Sequence, residues 1–230
     1  MSHHRSAEEI EQEHLQALGP SLGPLYHALF NEVTWLHMKW LEYRKLYAQS
    51  QERIDLLDET AGFFFQIIQN VLWKDILLHI ARLTDPPEQM RFKNLTLLGL
   101  PASVADPCLA GELRKLVEDA RSQSQFAREW RNKRIAHKDL SQAIDDKATP
   151  LPGVSRANIE QALASFRGIL NRLHASYLGG EVAYERFSTN RDADALLHHL
   201  AVAARFEARQ RQRLKEGRPL PEDLEPSPEI

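Results

Sequence analysis

Residues 22–47 read LGPLYHALFNEVTWLHMKWLEYRKLY, and their apolar side chains recur at alternating steps of four and three: Leu22, Tyr26, Leu29, Val33, Leu36, Trp40, Tyr43 and Tyr47. An α-helix turns about 100° per residue, so such a set stacks along one face. This is the seam of a long helix lying lengthwise against another helix. Leu25, Phe30, Leu41 and Leu46 widen the stripe, which predicts contact with two neighbours. Composition points the same way: 33 Leu and 25 Ala stand against only seven Val, and Leu and Ala favour helices where Val favours strands. The expected fold is all-α, a bundle of four to five main helices with irregular connections and a disordered C-terminal tail.

Outward from that seam the chain divides readily. Residues 7–18 carry Glu8, Glu9, Glu11 and Glu13 with Ile10, Leu15 and Leu18, a short acidic helix ended by Gly19-Pro20 and Gly23-Pro24. Residues 51–85 predict a second long helix with Ile54, Leu57, Ala61, Phe64, Ile68, Val71 and Leu78 on one face. Phe63, Phe65, Ile67, Leu72, Ile76 and Leu77 make it apolar nearly all round, as in the centre of a bundle. Pro86-Pro87 stops it. Residues 88–107 read as connection, with one turn of helix around Leu95 to Leu98. Asp106-Pro107 opens a third helix with Leu109, Leu113, Leu116, Val117 and Ala120 inward. Ser155 is an N-cap for a fourth, built on Ile159, Ala162, Phe166, Ile169 and Leu173 and ended by Gly179-Gly180. A fifth spans residues 192–214. The expected domains are an arm (1–19), the bundle (20–184), a C-terminal helix (185–216) and a Pro-rich acidic tail (217–230).

The formal net charge of −3 excludes bulk cationic attraction to nucleic acid, so any such binding needs a local patch. The single cysteine, Cys108, forms no internal disulfide and reads as a small apolar residue. The start, MSHHRSAEE, holds no apolar run, and no stretch approaches the roughly 18 apolar residues that cross a bilayer. The expectation is a cytoplasmic protein without a membrane partner. No Gly-rich phosphate loop and no zinc spacing occurs, and His198-His199 alone makes no metal site.

Residues 126–139, FAREWRNKRIAHKD, concentrate Arg128, Arg131, Lys133, Arg134, His137 and Lys138 against Glu129 and Asp139. Two readings stand. Cations at a helix C-terminus complement its dipole, each adding about 0.3–1 kcal/mol; alternatively the segment handles phosphate. On a uniform helix Arg131 and His137 lie about 120° and about 9 Å apart and cannot grip one atom. Either the helix breaks near Ile135 or two copies meet across a symmetry axis. A polar stripe of Asp75, His79 and Arg82, with Asp85 at its end, likewise has two readings: a satisfied ion-pair network, or the wall of a shared cleft.

RNKRIAH resembles the motif of the HEPN superfamily (higher eukaryotes and prokaryotes nucleotide-binding), an Arg, a polar residue and, a few positions on, a His. LHMKWLEYRKLY (36–47), FFFQIIQNVLWKDILLHIARLTDPP (63–87), WRNKRIAHKDL and Tyr177-Leu178-Gly179 are similar, in order, to the abortive-infection AbiU branch; the likeness covers residues 30–184. The resemblance implies a helical bundle that dimerises with two motif copies facing one cleft. It further implies a metal-independent endoribonuclease without cofactor, of phage-defence or toxin–antitoxin type, with RNA as substrate and a cognate antitoxin among its partners. Members with binding, antitoxin or adaptor roles alone are the alternative. Carried over, the motif marks Arg131, Asn132 and His137. Histidine, with a pKa near neutrality, suits acid/base work at the 2′-OH or leaving 5′-oxygen. A guanidinium suits the charge that gathers on phosphorus oxygens. Asn132 would orient, and Arg128, Lys133, Arg134 and Lys138 would hold the backbone. The Tyr that follows the His in one toxin branch is replaced here by Lys138-Asp139.

Overall fold

A computed structural model describes residues 5–135, 153–186 and 191–224; of Arg134 and Ile135 it describes the backbone only. The helices are α1 (Ala7–Tyr47), α2 (Gln51–Leu83), α3 (Leu100–Ser103), α4 (Pro107–Gln123), α5 (Gln125–Trp130), α6 (Arg156–Tyr177) and α7 (Ala193–Lys215). Between α2 and α3 lie two short strands, β1 (Glu88–Gln89) and β2 (Phe92–Lys93), and a 3-10 turn, Leu97–Gly99. The protein is all-α. No helix among the described residues is long and apolar enough to cross a membrane.

Two compact units are present: Met1–Leu41 with Val71–Phe187, and Glu42–Asn70 with Ser188–Ile230. In the first, the α1 seam is buried as the spacing predicts. Leu22, Tyr26, Leu29, Val33 and Leu36 are at most 2% exposed, and Trp40 is 4% exposed. α4 packs mainly along α6; Leu109, Leu113, Val117 and Ala120 of the one and Ile159, Ala162, Phe166, Ile169 and Leu173 of the other are buried. Both helices start on side-chain caps. Asp106 accepts from the Cys108 N–H at 2.8 Å, and Ser155 accepts from the Asn158 N–H while Asn158 accepts from the Ser155 N–H. Cys108 itself is exposed rather than packed.

The acidic arm is not frayed. At Gly19 the backbone takes φ 77, a left-handed conformation that glycine reaches without a Cβ penalty, and Pro20 starts the next helical stretch. Residues 7–18 fold back on the part of α1 beyond Gly19: the His14 ring lies 4.9 Å from those of Tyr26 and Phe30, edge to face. Gly23 permits the approach, since a Cβ there would sit 3.0 Å from the Leu15 Cα.

α2 departs from expectation. Ala61 leaves helical geometry (φ −157, ψ 58), and the phase of the apolar pattern breaks with it. The buried residues are Leu57 and Phe65 before and after the kink, then Ile76, Leu77, His79, Ile80, Ala81 and Leu83. Phe63, Phe64, Ile67 and Val71 are exposed, Phe63 by 78%. The stretch 63–71 is therefore one-sided and is not the centre of a bundle.

In the second unit, Leu46, Leu57, Phe65, Ala193 and Leu197 form a small core. Lys45 reaches Asp192 at 2.5 Å, and Asp192 caps α7 by accepting from the Asp194 and Ala195 N–H groups. Residues 217–224, expected as part of a disordered tail, are ordered. Pro221–Leu224 form a 3-10 turn, and Arg213 donates twice to Asp223, at 2.7 and 2.5 Å. This fork holds the Asp223 carboxyl at about 2, well below the usual carboxylate range.

Three buried histidines of the first unit share one electrostatic fate. His14, His37 and His79 are 2–3% exposed, and each is pushed down to about 4. Burial is the main cause throughout; His27 adds to it at His14, Arg167 at His37 and Lys39 at His79. Their folded pKa lies below the unfolded value of about 6.5, so the unfolded chain binds more protons between pH 6.5 and 4. Stability is complete above pH 6.5 and falls as the pH drops, by at most about 1.4 kcal/mol per pH unit for each histidine. Thermal melts at pH 7, 5.5 and 4.5 should show a steepening loss of Tm. Replacing His37 by Asn should flatten the curve.

Candidate functional site

Within the basic segment the helix changes its winding after α5. Residues Arg131–Ile135 form a π-helical turn, a form that occurs as single turns, frequently at functional sites. The Arg131 N–H still bonds to the carbonyls of Ala127 and Arg128, so Arg131 sits at the junction.

Its guanidinium faces the end of α2. One terminal nitrogen donates to both Asp85 oxygens, at 2.7 and 2.5 Å, and Nε donates to Asn132 Oδ1 at 3.1 Å. The two charged side chains are 22% and 15% exposed, so the pair is half-sheltered from water. Among the described residues the other terminal nitrogen makes no hydrogen bond. Next door, Arg128 donates to Thr84 Oγ1 at 2.7 Å and to the Arg121 carbonyl at 2.6 Å. Burial, and then Arg121, push its guanidinium below its ordinary value. Arg128, expected to hold RNA, is thus a strap that ties the α4–α5 corner to the end of α2. Lys133 is exposed. His137 and Lys138 lie outside the described residues, and so does the side chain of Arg134.

The polar stripe on α2 divides between its two readings. Lys39 of α1 donates to Asp75 at 2.5 Å and to His79 Nδ1 at 3.1 Å. Since Nδ1 accepts, the neutral ring carries its proton on Nε2, which lies 2.8 Å from Glu32 Oε2 but off the line of a good hydrogen bond. Arg82 donates to the same Glu32 oxygen at 2.9 Å. Asp75 and His79 therefore belong to an ion-pair network that ties α1 to α2. Arg82, 56% exposed, and Asp85 also line a cleft of about 270 Å³, with Glu32, Leu83, Asn94 and Leu95. Asp85 is the link between that cleft and Arg131.

Sequence reasoning missed Thr84, Glu32, Lys39 and Asn94 as partners. Thr84-Asp85 directly before Pro86-Pro87 was the available signal, a helix end with two polar side chains. Glu32 and Lys39 lie far along the chain from the residues they meet. Among the described residues, no group of three or more His, Cys, Asp or Glu is arranged to hold a metal ion.

A family model described as AbiU2, HEPN_AbiU2, matches residues 20–196. The chain belongs to this HEPN family. The AbiU2 match takes in the α1 seam, the α2 stripe, the basic segment and α6, and a HEPN-type domain suggests a nuclease or abortive-infection-related role. No curated protein and no solved structure matches the chain.

Proposed function

We propose that this AbiU2 domain is a metal-independent endoribonuclease of the abortive-infection or toxin–antitoxin kind, acting in the cytoplasm as a homodimer. What carries the reading is Arg131. The arginine of RNKRIAH stands at the head of a π-helical turn, with Nε fixed by Asn132 and one terminal nitrogen by Asp85 at the edge of a cleft that Arg82 also lines. A guanidinium held in plane beside a cleft is suited to meet phosphate oxygens as charge builds on them. In this reading His137 takes the 2′-OH proton or protonates the leaving 5′-oxygen, Asn132 orients Arg131, and Lys133, Arg134 and Lys138 hold the backbone. Two copies of the motif complete the cleft, and a cognate antitoxin is the natural restraint on such an activity.

One observation favours a second reading. A carboxylate already occupies Arg131, as expected of a HEPN-like domain kept for binding or as an antitoxin-type module. Incubating purified protein with mixed cellular RNA in EDTA separates the two. Cleavage by wild type and its loss in His137→Ala support the nuclease; intact RNA with wild type at all concentrations supports the binding module.

A further inference from the structure

The hairpin after α2 has an unusual composition for a connection. Its centre, Met90-Arg91-Phe92-Lys93, leaves Met90 90% and Phe92 74% exposed. Side chains of this kind are normally buried, and here two of them alternate with two cations. The hairpin is not a loose tether. Glu88 pairs with Lys93 and Gln89 with Phe92. Asn94 closes the base, its N–H donating to the Pro87 carbonyl and its amide to the Pro86 carbonyl, both at 2.8 Å. At the tip Met90 takes φ 58, a backbone position that two-residue turns usually give to Gly, Asn or Asp. A bulky apolar residue therefore stands where neither burial nor local backbone preference favours it.

Its place adds to this. Asn94 and Leu95 line the cleft with Arg82 and Asp85, and Phe92 precedes Asn94 by two residues, about 7 Å of extended chain. We propose that the 90–93 hairpin is a stacking platform for single-stranded RNA, holding an unstacked base on Phe92 while a nearby phosphate lies at Arg131. This rests on the ribonuclease reading and names its substrate class. An exposed aromatic face with interleaved cations fits a single strand, whose bases present π-faces and whose backbone is anionic. Glu88, opposite Lys93, offsets part of that charge, so Arg91 is the main cation of the tip. A duplex keeps its bases stacked and offers only backbone and groove, so the platform selects unpaired segments.

The test uses the full chain in the His137→Ala background, which keeps RNA intact, with a fluorescein-labelled unstructured RNA decamer and its duplex, in EDTA. Phe92→Ala should weaken single-strand binding roughly 5- to 150-fold and leave duplex binding unchanged. Phe92→Trp should restore the affinity, with tryptophan fluorescence quenched on binding. In the catalytic background, Phe92→Ala should raise KM and leave kcat within about twofold. Phe92→Ala that binds the decamer as its parent does, while Arg131→Ala no longer cleaves, overturns the platform and spares the ribonuclease reading. Absence of RNA binding and cleavage in every form sinks both. Light scattering that shows Phe92→Ala dissolving a dimer or a protein complex, with RNA affinity unchanged, assigns the hairpin to a protein partner and also overturns the proposal.

Discussion

Arg131→Ala is expected to cut RNA cleavage by at least about 10²–10³-fold, the range seen when one preorganised stabiliser of developing charge is removed. The loss should appear in kcat, since the charge on phosphorus oxygens peaks in the transition state. Arg131→Lys keeps the charge but not the planar fork that Asn132 and Asp85 hold from two sides, and should recover little. The substitution also leaves Asp85 without its partner in a half-sheltered position. That should lower stability by about 1–3 kcal/mol, too little to unfold the protein at 25 °C. Cleavage rates normalised to the folded fraction, from circular dichroism melts, separate the two effects. Arg131→Ala combined with His137→Ala should lose little more than the worse single variant if both act on one phosphate. Full activity in Arg131→Ala would mean that the cleaving group sits elsewhere.

The second large effect concerns the scaffold. Phe166 of α6 is fully buried, on the helix along which α4 mainly packs, and α4 runs directly into the segment that carries Arg131. Truncation to Ala should cost about 3–5 kcal/mol, transfer and cavity together. At about 2–4 °C per kcal/mol for a chain of this size, Tm should fall by roughly 6–20 °C. Phe166→Leu, which leaves a smaller void, should lose less than half of that. Calorimetry measures both. A Tm unchanged in Phe166→Ala would show that α6 does not support α4 as described.

What could be read from the sequence follows from how each contact is encoded. The α1 seam was legible because eight residues repeat one spacing, and every one from Leu22 to Trp40 is buried. The caps at Asp106 and Ser155 were legible because capping is local. The extent of α2 was legible but its burial was not, since Ala61 leaves helical geometry midway and the local signal, a single Gly62 beside it, is weak. The hairpin at residues 88–93 was hidden for a related reason, with Met90 at a left-handed position that carries no turn signal. In the site, Arg131 and Asn132 stood out through the motif. The pairing of Arg131 with Asp85 joins residues 46 apart, and no local rule predicts it. The charge of Arg128 is visible in the sequence, whereas its engagement by Thr84 and the Arg121 carbonyl is a property of the fold.

The π-helical turn has a consequence for anyone who transplants this motif. A coil closed by i→i+5 bonds takes in one more residue than an α-helical turn, so Arg131, Asn132 and Lys133 stand at bearings that straight-rod arithmetic does not supply. Copying RNKRI onto an idealised helix would keep every letter and lose the aim. Deleting one residue within Arg131–Ile135, which restores ordinary winding, would do the same to the native chain.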